Sequence, residues 1–153
     1  MMKTKTAMML ELWLEARTRF TNQLESISEL DLQKKLGDAP NSIGFLIRHI
    51  GDVELLFAKN VFGDSTIKVS AKTVIDKKDT GEWVDTAALK AYVKESFEKL
   101  KSIVEQQTDE DWGTHISTQE FGTKTKSEAF GRIVSHTTYH AGQMAIIQKY
   151  GMV

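Results

Sequence analysis

The chain has no cysteine and a single proline among its 153 residues. The first absence removes disulfides, thiolate metal ligands and a cysteine nucleophile together, and is compatible with a reducing compartment. A dominant charge is missing too. Twenty basic residues face 21 acidic ones for a net charge of −1, and the two signs are interleaved. Nucleic acid, which selects a basic face, is therefore not an expected partner. No window approaches the roughly 20 apolar residues of a membrane-spanning helix. Lys3 and Lys5 resemble the start of an export signal, but Glu11, Glu15 and Arg17 interrupt the apolar run that should follow. A cytoplasmic protein is the expectation. Neither an internal repeat nor a low-complexity tract is present, and the length suits one domain spanning residues 1–153.

Helical periodicity fills most of the chain. Met9, Trp13, Ala16, Phe20 and Leu24 recur at three- and four-residue spacing and predict a first helix over about 6–26. Ser28 to Leu36 reads as a connecting turn or short 3₁₀ piece, and Gly37-Asp-Ala-Pro40 breaks the chain. Asn41 or Ser42 can cap a second helix running to about Val61, with Ile43, Leu46, Ile50, Val53 and Phe57 as its stripe. Phe62 to Val84 is long, polar and rich in lysine, as a crossover, lid or mobile loop would be. Asp85 or Thr86 caps a third helix, whose face is Leu89, Tyr92, Val93, Phe97, Leu100, Ile103 and Val104. Thr108-Asp-Glu-Asp-Trp112 closes it. Residues 113–126 suit a short hairpin or extended loop. The last helix runs from about Ser127 to Tyr150 with Phe130, Ile133, Thr137, Ala141, Met144 and Ile147 inward, and Gly151 is its stop. Four apolar stripes without a heptad register are most simply covered in an all-α four-helix bundle.

Only four histidines are present. His136 and His140 lie four apart and share a helix face, and His49 falls within the stripe of the second helix. Three imidazoles buried together without partners would each cost about 1–3 kcal/mol. A shared divalent ion would satisfy all three, and three histidines plus open positions form a catalytic type of site. Spacing alone leaves a metal site and a set of hydrogen-bonded core histidines as alternatives. His115, in the polar stretch before the last helix, reads as a solvated loop residue. Thr137 occupies the place where a zinc protease carries its glutamate base, which disfavours a peptidase. The Glu-x-x-His pairs of a di-iron bundle are missing, and Glu54 lies off the face of His49. Asp52, one turn beyond His49, is the better neighbouring carboxylate. Gln143, one turn beyond His140, is a candidate for supporting that ligand or facing substrate. Tyr139 should point elsewhere on the helix, and Gly142 should serve close helix approach. Trp13, Trp83 and Trp112 read as core or loop anchors.

Two segments resemble a known family. Asn41-Ser-Ile-Gly-Phe-Leu-Ile-Arg-His49-Ile-Gly-Asp52 is similar to the second helix of the DinB/YfiT-like superfamily of metal-dependent enzymes. His136-Thr-Thr-Tyr-His140-Ala-Gly-Gln143 is similar to its last helix. The resemblance spans nearly the whole chain. It implies an up-down-down-up bundle in which residues 62–84 cross between the second and third helices. It also implies nickel or zinc held by His49, His136 and His140 with water completing the shell, and commonly a homodimer. Characterised members include thiol transferases and a mycothiol-dependent isomerase. The expected function is therefore activation of a thiol cosubstrate or water against a small electrophile, as in a detoxifying thiol S-transferase or a hydrolase. Without cysteine in the chain, the thiolate must come from a small molecule. The alternative is a non-catalytic stress-response or interaction module with structural metal or none.

Overall fold

The first backbone N–H groups of a helix lack intrahelical acceptors, and here a side-chain oxygen supplies one at the start of each long helix. The computed structural model describes all 153 residues. Thr4 accepts from the Ala7 N–H to open α1 (Lys5–Ser26). Ser42 accepts from Phe45 to open α3 (Ile43–Asn60), and Asp85 from Ala88 to open α5 (Thr86–Glu105). Thr125 and Glu128 form a capping box at the start of α6 (Lys126–Tyr150). Two single turns, α2 (Glu29–Leu32) and α4 (Lys72–Ile75), interrupt the connections before and after α3. Of the two forms expected for residues 113–126, a short hairpin or an extended loop, the structure has the hairpin: β1 (His115–Thr118) pairs antiparallel with β2 (Gly122–Thr125). The chain is mostly helical with this small two-stranded sheet.

The apolar faces read from the sequence point inward. All five residues of the expected stripe on α3 and all six on α6 are buried. On α1, Trp13, Phe20 and Leu24 are buried while Met9 and Ala16 are only half-buried. The helices pack in pairs. Gly51 of α3 lies against Tyr92 of α5, and Glu54 against Ser96. Trp13 of α1 meets Phe130 of α6, and Ser26 meets Gln148. Arg17 of α1 donates to the Val93 carbonyl of α5. His49 of α3 meets His136 of α6.

Apolar burial is divided into two clusters. One gathers Trp13, Val53, Phe57, Leu100, Trp112, Phe130 and Ile133, the other Phe20, Leu32, Ile43, Leu46, Ile50, Val93 and Met144. Polar side chains lie where the two meet along α3. Arg17 is buried and donates two hydrogen bonds to the fully buried Glu54, at 3.2 and 3.0 Å. Burial raises the Glu54 pKa, while Arg17 and Ser96 oppose the shift.

Residues 61–85 cross from α3 to α5 and are anchored more firmly than their polarity suggested. Phe62 packs edge-on against Trp112 and Phe130, and Ile67, Ala71 and Thr73 are buried. Trp83 lies so close to α3 that a Cβ on Gly44 would stand 1.9 Å from its carbonyl oxygen. Only glycine fits there. Gly151 does end α6, though with φ −77° rather than in a left-handed cap. Its Cβ would collide with the carbonyls of Ile147 and Lys35, and Lys35 pairs with Met152 beside it. Gly142 has open space where its Cβ would be, so the expected close helix approach does not occur at that residue within the chain.

Candidate metal centre

His49 leaves α3 toward α6, and His136 and His140 leave successive turns of α6 to meet it. The Nε2 atom of His136 lies 3.0 Å from that of His49 and 3.1 Å from that of His140. One candidate ligand atom from each ring lies within 4.8 Å of the other two. The rings are half-buried at the seam between the two apolar clusters.

Partners at the far side of two rings decide where the lone pairs point. His49 Nδ1 lies 3.1 Å from Thr73 Oγ1, which itself donates to Asp52 Oδ2 at 2.7 Å. The threonine hydrogen is thus committed to the carboxylate, and its oxygen accepts the His49 Nδ1 proton. His140 Nδ1 donates to Gln143 Oε1 at 2.7 Å. Both Nε2 atoms are left as lone pairs facing His136, in the manner of metal-ligating histidines. His136 Nδ1 is buried without a partner.

Burial, reinforced by His140, pushes the His49 pKa to about 4, while Asp52 pulls weakly the other way. Burial followed by the charges of His140, His49 and Arg132 pushes His136 to about 3. Burial also lowers His140, opposed by its hydrogen bond to Gln143. The rings are neutral at pH 7, and His136 has at most one proton on Nε2 for two approaches of about 3 Å. One pair of lone pairs would face each other unscreened. A divalent ion with nitrogen ligands at about 2.0–2.1 Å holds them roughly 3 Å apart, so the donor set fits one. The three-histidine cluster could hold a metal ion.

The carboxylate behind His49 is saturated. Asp52, fully buried, accepts from Arg48 Nε at 2.9 Å, from the Thr73 N–H at 3.1 Å and hydroxyl at 2.7 Å, and from Tyr92 Oη. Burial, then Asp52, drives the Tyr92 pKa upward. Three elements thereby converge on one carboxylate: α3, α5 and the crossover turn α4. Ala71, immediately before α4, holds a left-handed conformation at φ 43° although it is not glycine. Such strain costs on the order of 1–3 kcal/mol and persists only where surrounding contacts enforce it.

A family model described as the DinB superfamily matches residues 12–144. The chain belongs to the DinB superfamily. Two solved structures share its fold. The mycothiol-dependent maleylpyruvate isomerase aligns at 17% identity with a TM-score of 0.69, and a histidine-to-alanine mutant of that enzyme at 16% with a TM-score of 0.70. Each alignment covers 94% of this chain and 63% of the other. The DinB chain thus spans less than two thirds of the length of either neighbour. No curated protein matches its sequence.

Within the DinB fold, the structure brings His49, His136, His140, Asp52 and Gln143 together. Asp52 touches His49 only through Thr73. Glu54 points away, toward Arg17, and His115 is exposed on β1. Tyr139, expected to point elsewhere, is 66% exposed yet packs its ring edge-on to His140 with centroids 5.2 Å apart. Trp13 and Trp112 are core residues and Trp83 anchors the crossover. Arg48, Thr73 and Tyr92 escaped the sequence reading. The i, i+4 spacing of Arg48 and Asp52 was a usable signal for one of them, whereas nothing local marks Thr73. No helix is long and apolar enough to cross a membrane.

Proposed function

We propose that His49, His136 and His140 hold a divalent ion, nickel or zinc, in an enzyme that activates a thiol cosubstrate or water against a small electrophile, best described as a thiol S-transferase of detoxification. The observation that carries this reading is the convergence of three neutral Nε2 atoms with at most one proton between them at the shared point. When bound, such an ion supplies Lewis acidity that lowers the pKa of a water or thiol at its open positions. The chain's own residues do the rest. Asp52 orients His49 through Thr73, Gln143 orients His140, and a cleft of about 300 Å³ opens beside His136 for the electrophile. The fold shared with a mycothiol-dependent enzyme supports a small-molecule thiol, which this cysteine-free chain requires.

Residue numbers rise together where α3 packs on α5 (Gly51 with Tyr92, Glu54 with Ser96) and where α1 packs on α6 (Trp13 with Phe130, Ser26 with Gln148), and run in opposite order where α3 meets α6, with His49 against His136 and Leu46 beside Ile147. That order supports an up-down-down-up, single-domain bundle over 1–153. Exposed Leu12 borders a groove between α1 and α6 that is also lined by Ala16, Ala141 and Ala145, a surface suited to a homodimer; the compartment we infer is the cytoplasm. The test is turnover. Metal-loaded protein incubated with a panel of low-molecular-weight thiols and chloro-aromatic or epoxide electrophiles should conjugate at least one pair faster than metal-free protein. Equal rates across the panel would leave a non-catalytic module as the better account.

A further inference from the structure

The cleft beside His136 also contains a cation without a counterion. Arg17 is paired with Glu54 and Arg48 with Asp52. Arg132 lies one turn before His136 on α6 and shares its face. No carboxylate lies within ion-pair distance of it, although Glu120 of the hairpin lines the same cleft. Its guanidinium is instead set against the ring of Phe121, 5.6 Å from the centroid. That contact restrains a side chain that would otherwise sweep freely through solvent, and leaves its N–H fork available. Val53, Phe57 and the exposed ring of Tyr139 give the cleft shared by Arg132 and His136 an apolar lining. Phe57 and Glu120 also border a larger hollow of about 630 Å³ under the hairpin tip. Room therefore exists for a body extending away from the histidines.

We propose that Arg132 anchors a carboxylate of the substrate or thiol cosubstrate, so that the site selects small molecules with an anionic end and an apolar body. The proposal rests on the reading of the histidine cluster as the reacting centre and supplies its missing specificity. A planar guanidinium binds a carboxylate through two parallel N–H···O bonds, a geometry an amide isostere cannot match. Arg132 is then a binding residue, placed one helical turn from the chemistry.

Paired probes test this without any turnover. The acid and the primary amide of 3-phenylpropionate stand for the electrophile, and those of 3-mercaptopropionate for the thiol. Each is titrated by calorimetry or amide NMR into metal-loaded and metal-free protein. The parent should bind the acid of at least one pair about tenfold more tightly than its amide in both forms, and the pair showing it identifies which reactant carries the carboxylate. Arg132→Gln should abolish the preference, Arg132→Lys should keep a fraction of it, and Glu120→Gln should leave or enlarge it. A preference that survives Arg132→Gln, or no preference for either pair, overturns the proposal. A preference confined to metal-loaded protein and indifferent to Arg132 would make the metal the anchor, refuting the role of Arg132 while leaving the histidine site intact. Failure of metal loading, with the Arg132-dependent preference retained in the metal-free protein, would remove the reading of the site but not the carboxylate subsite.

Discussion

Replacing Thr73 with valine keeps the shape of the side chain and removes one hydroxyl. That hydroxyl accepts from His49 Nδ1 at 3.1 Å and donates to Asp52 at 2.7 Å. Thr73 is only 3% exposed, so water does not replace it. Asp52 would retain Arg48, Tyr92 and the residue-73 N–H, so the fold should survive with a loss of about 1–3 kcal/mol for the unsatisfied groups. The larger consequence falls on the metal. Removing the hydrogen-bond partner of a ligating histidine weakens metal binding about 10–100-fold, equivalent to roughly 1.4–2.7 kcal/mol. Competition against a chromophoric chelator gives the Kd. Long-range proton–nitrogen NMR of the metal-free protein gives the His49 tautomer, which simple loss of stability would not alter. Thr73→Val should weaken binding and release His49 from its Nδ1–H form, and Thr73→Ser should restore both. An unchanged Kd together with an unchanged tautomer would refute the relay from Asp52 through Thr73.

Acid should destabilise the metal-free protein in a defined window. His49 and His136 titrate near 4 and 3 when folded, against 6.5 as the ordinary value, so between about pH 6.5 and 4 the unfolded chain binds more protons and stability falls as pH falls. Calorimetry should show a lower Tm at pH 5 than at pH 7.5, and a flat profile would contradict the burial of neutral rings. Glycines at two sites should respond oppositely to alanine. Gly44→Ala drives a methyl into the Trp83 carbonyl and should cost about 1–3 kcal/mol or more. Gly142→Ala meets nothing and should stabilise α6 by roughly 0.5–1 kcal/mol. Urea midpoints measure both, and similar effects at the two positions would mean the crossover does not press on α3.

Much of this architecture was legible in the chain because helices announce themselves locally. The stripes on α3 and α6 follow the 3.6-residue period, and Ser42, Asp85 and the hairpin stretch carried their own signals. The pairing of His136 with His140 is a property of one helix, and His49 joined them because its stripe also faced inward. What escaped depends on chain crossings. Thr73 sits in a polar connection whose periodicity says nothing, and only the fold carries it to Asp52. The burial of Arg17 depends on Glu54, a partner 37 residues later in the chain. Tyr92 counted as an apolar face residue, while its hydroxyl found a carboxylate on another helix. Gly142 and Tyr139 were misread because position along one helix does not reveal what the neighbouring helices leave open.

Metal content tests the central proposal most directly. Protein purified without a histidine tag and measured by inductively coupled plasma mass spectrometry should carry, or take up on reconstitution, about one nickel or zinc ion per chain, and His140→Ala should lose it. Recovery below about a tenth of an equivalent of any divalent ion with no reconstitution, or a His140→Ala variant that binds as tightly as the parent, would contradict the three-histidine centre.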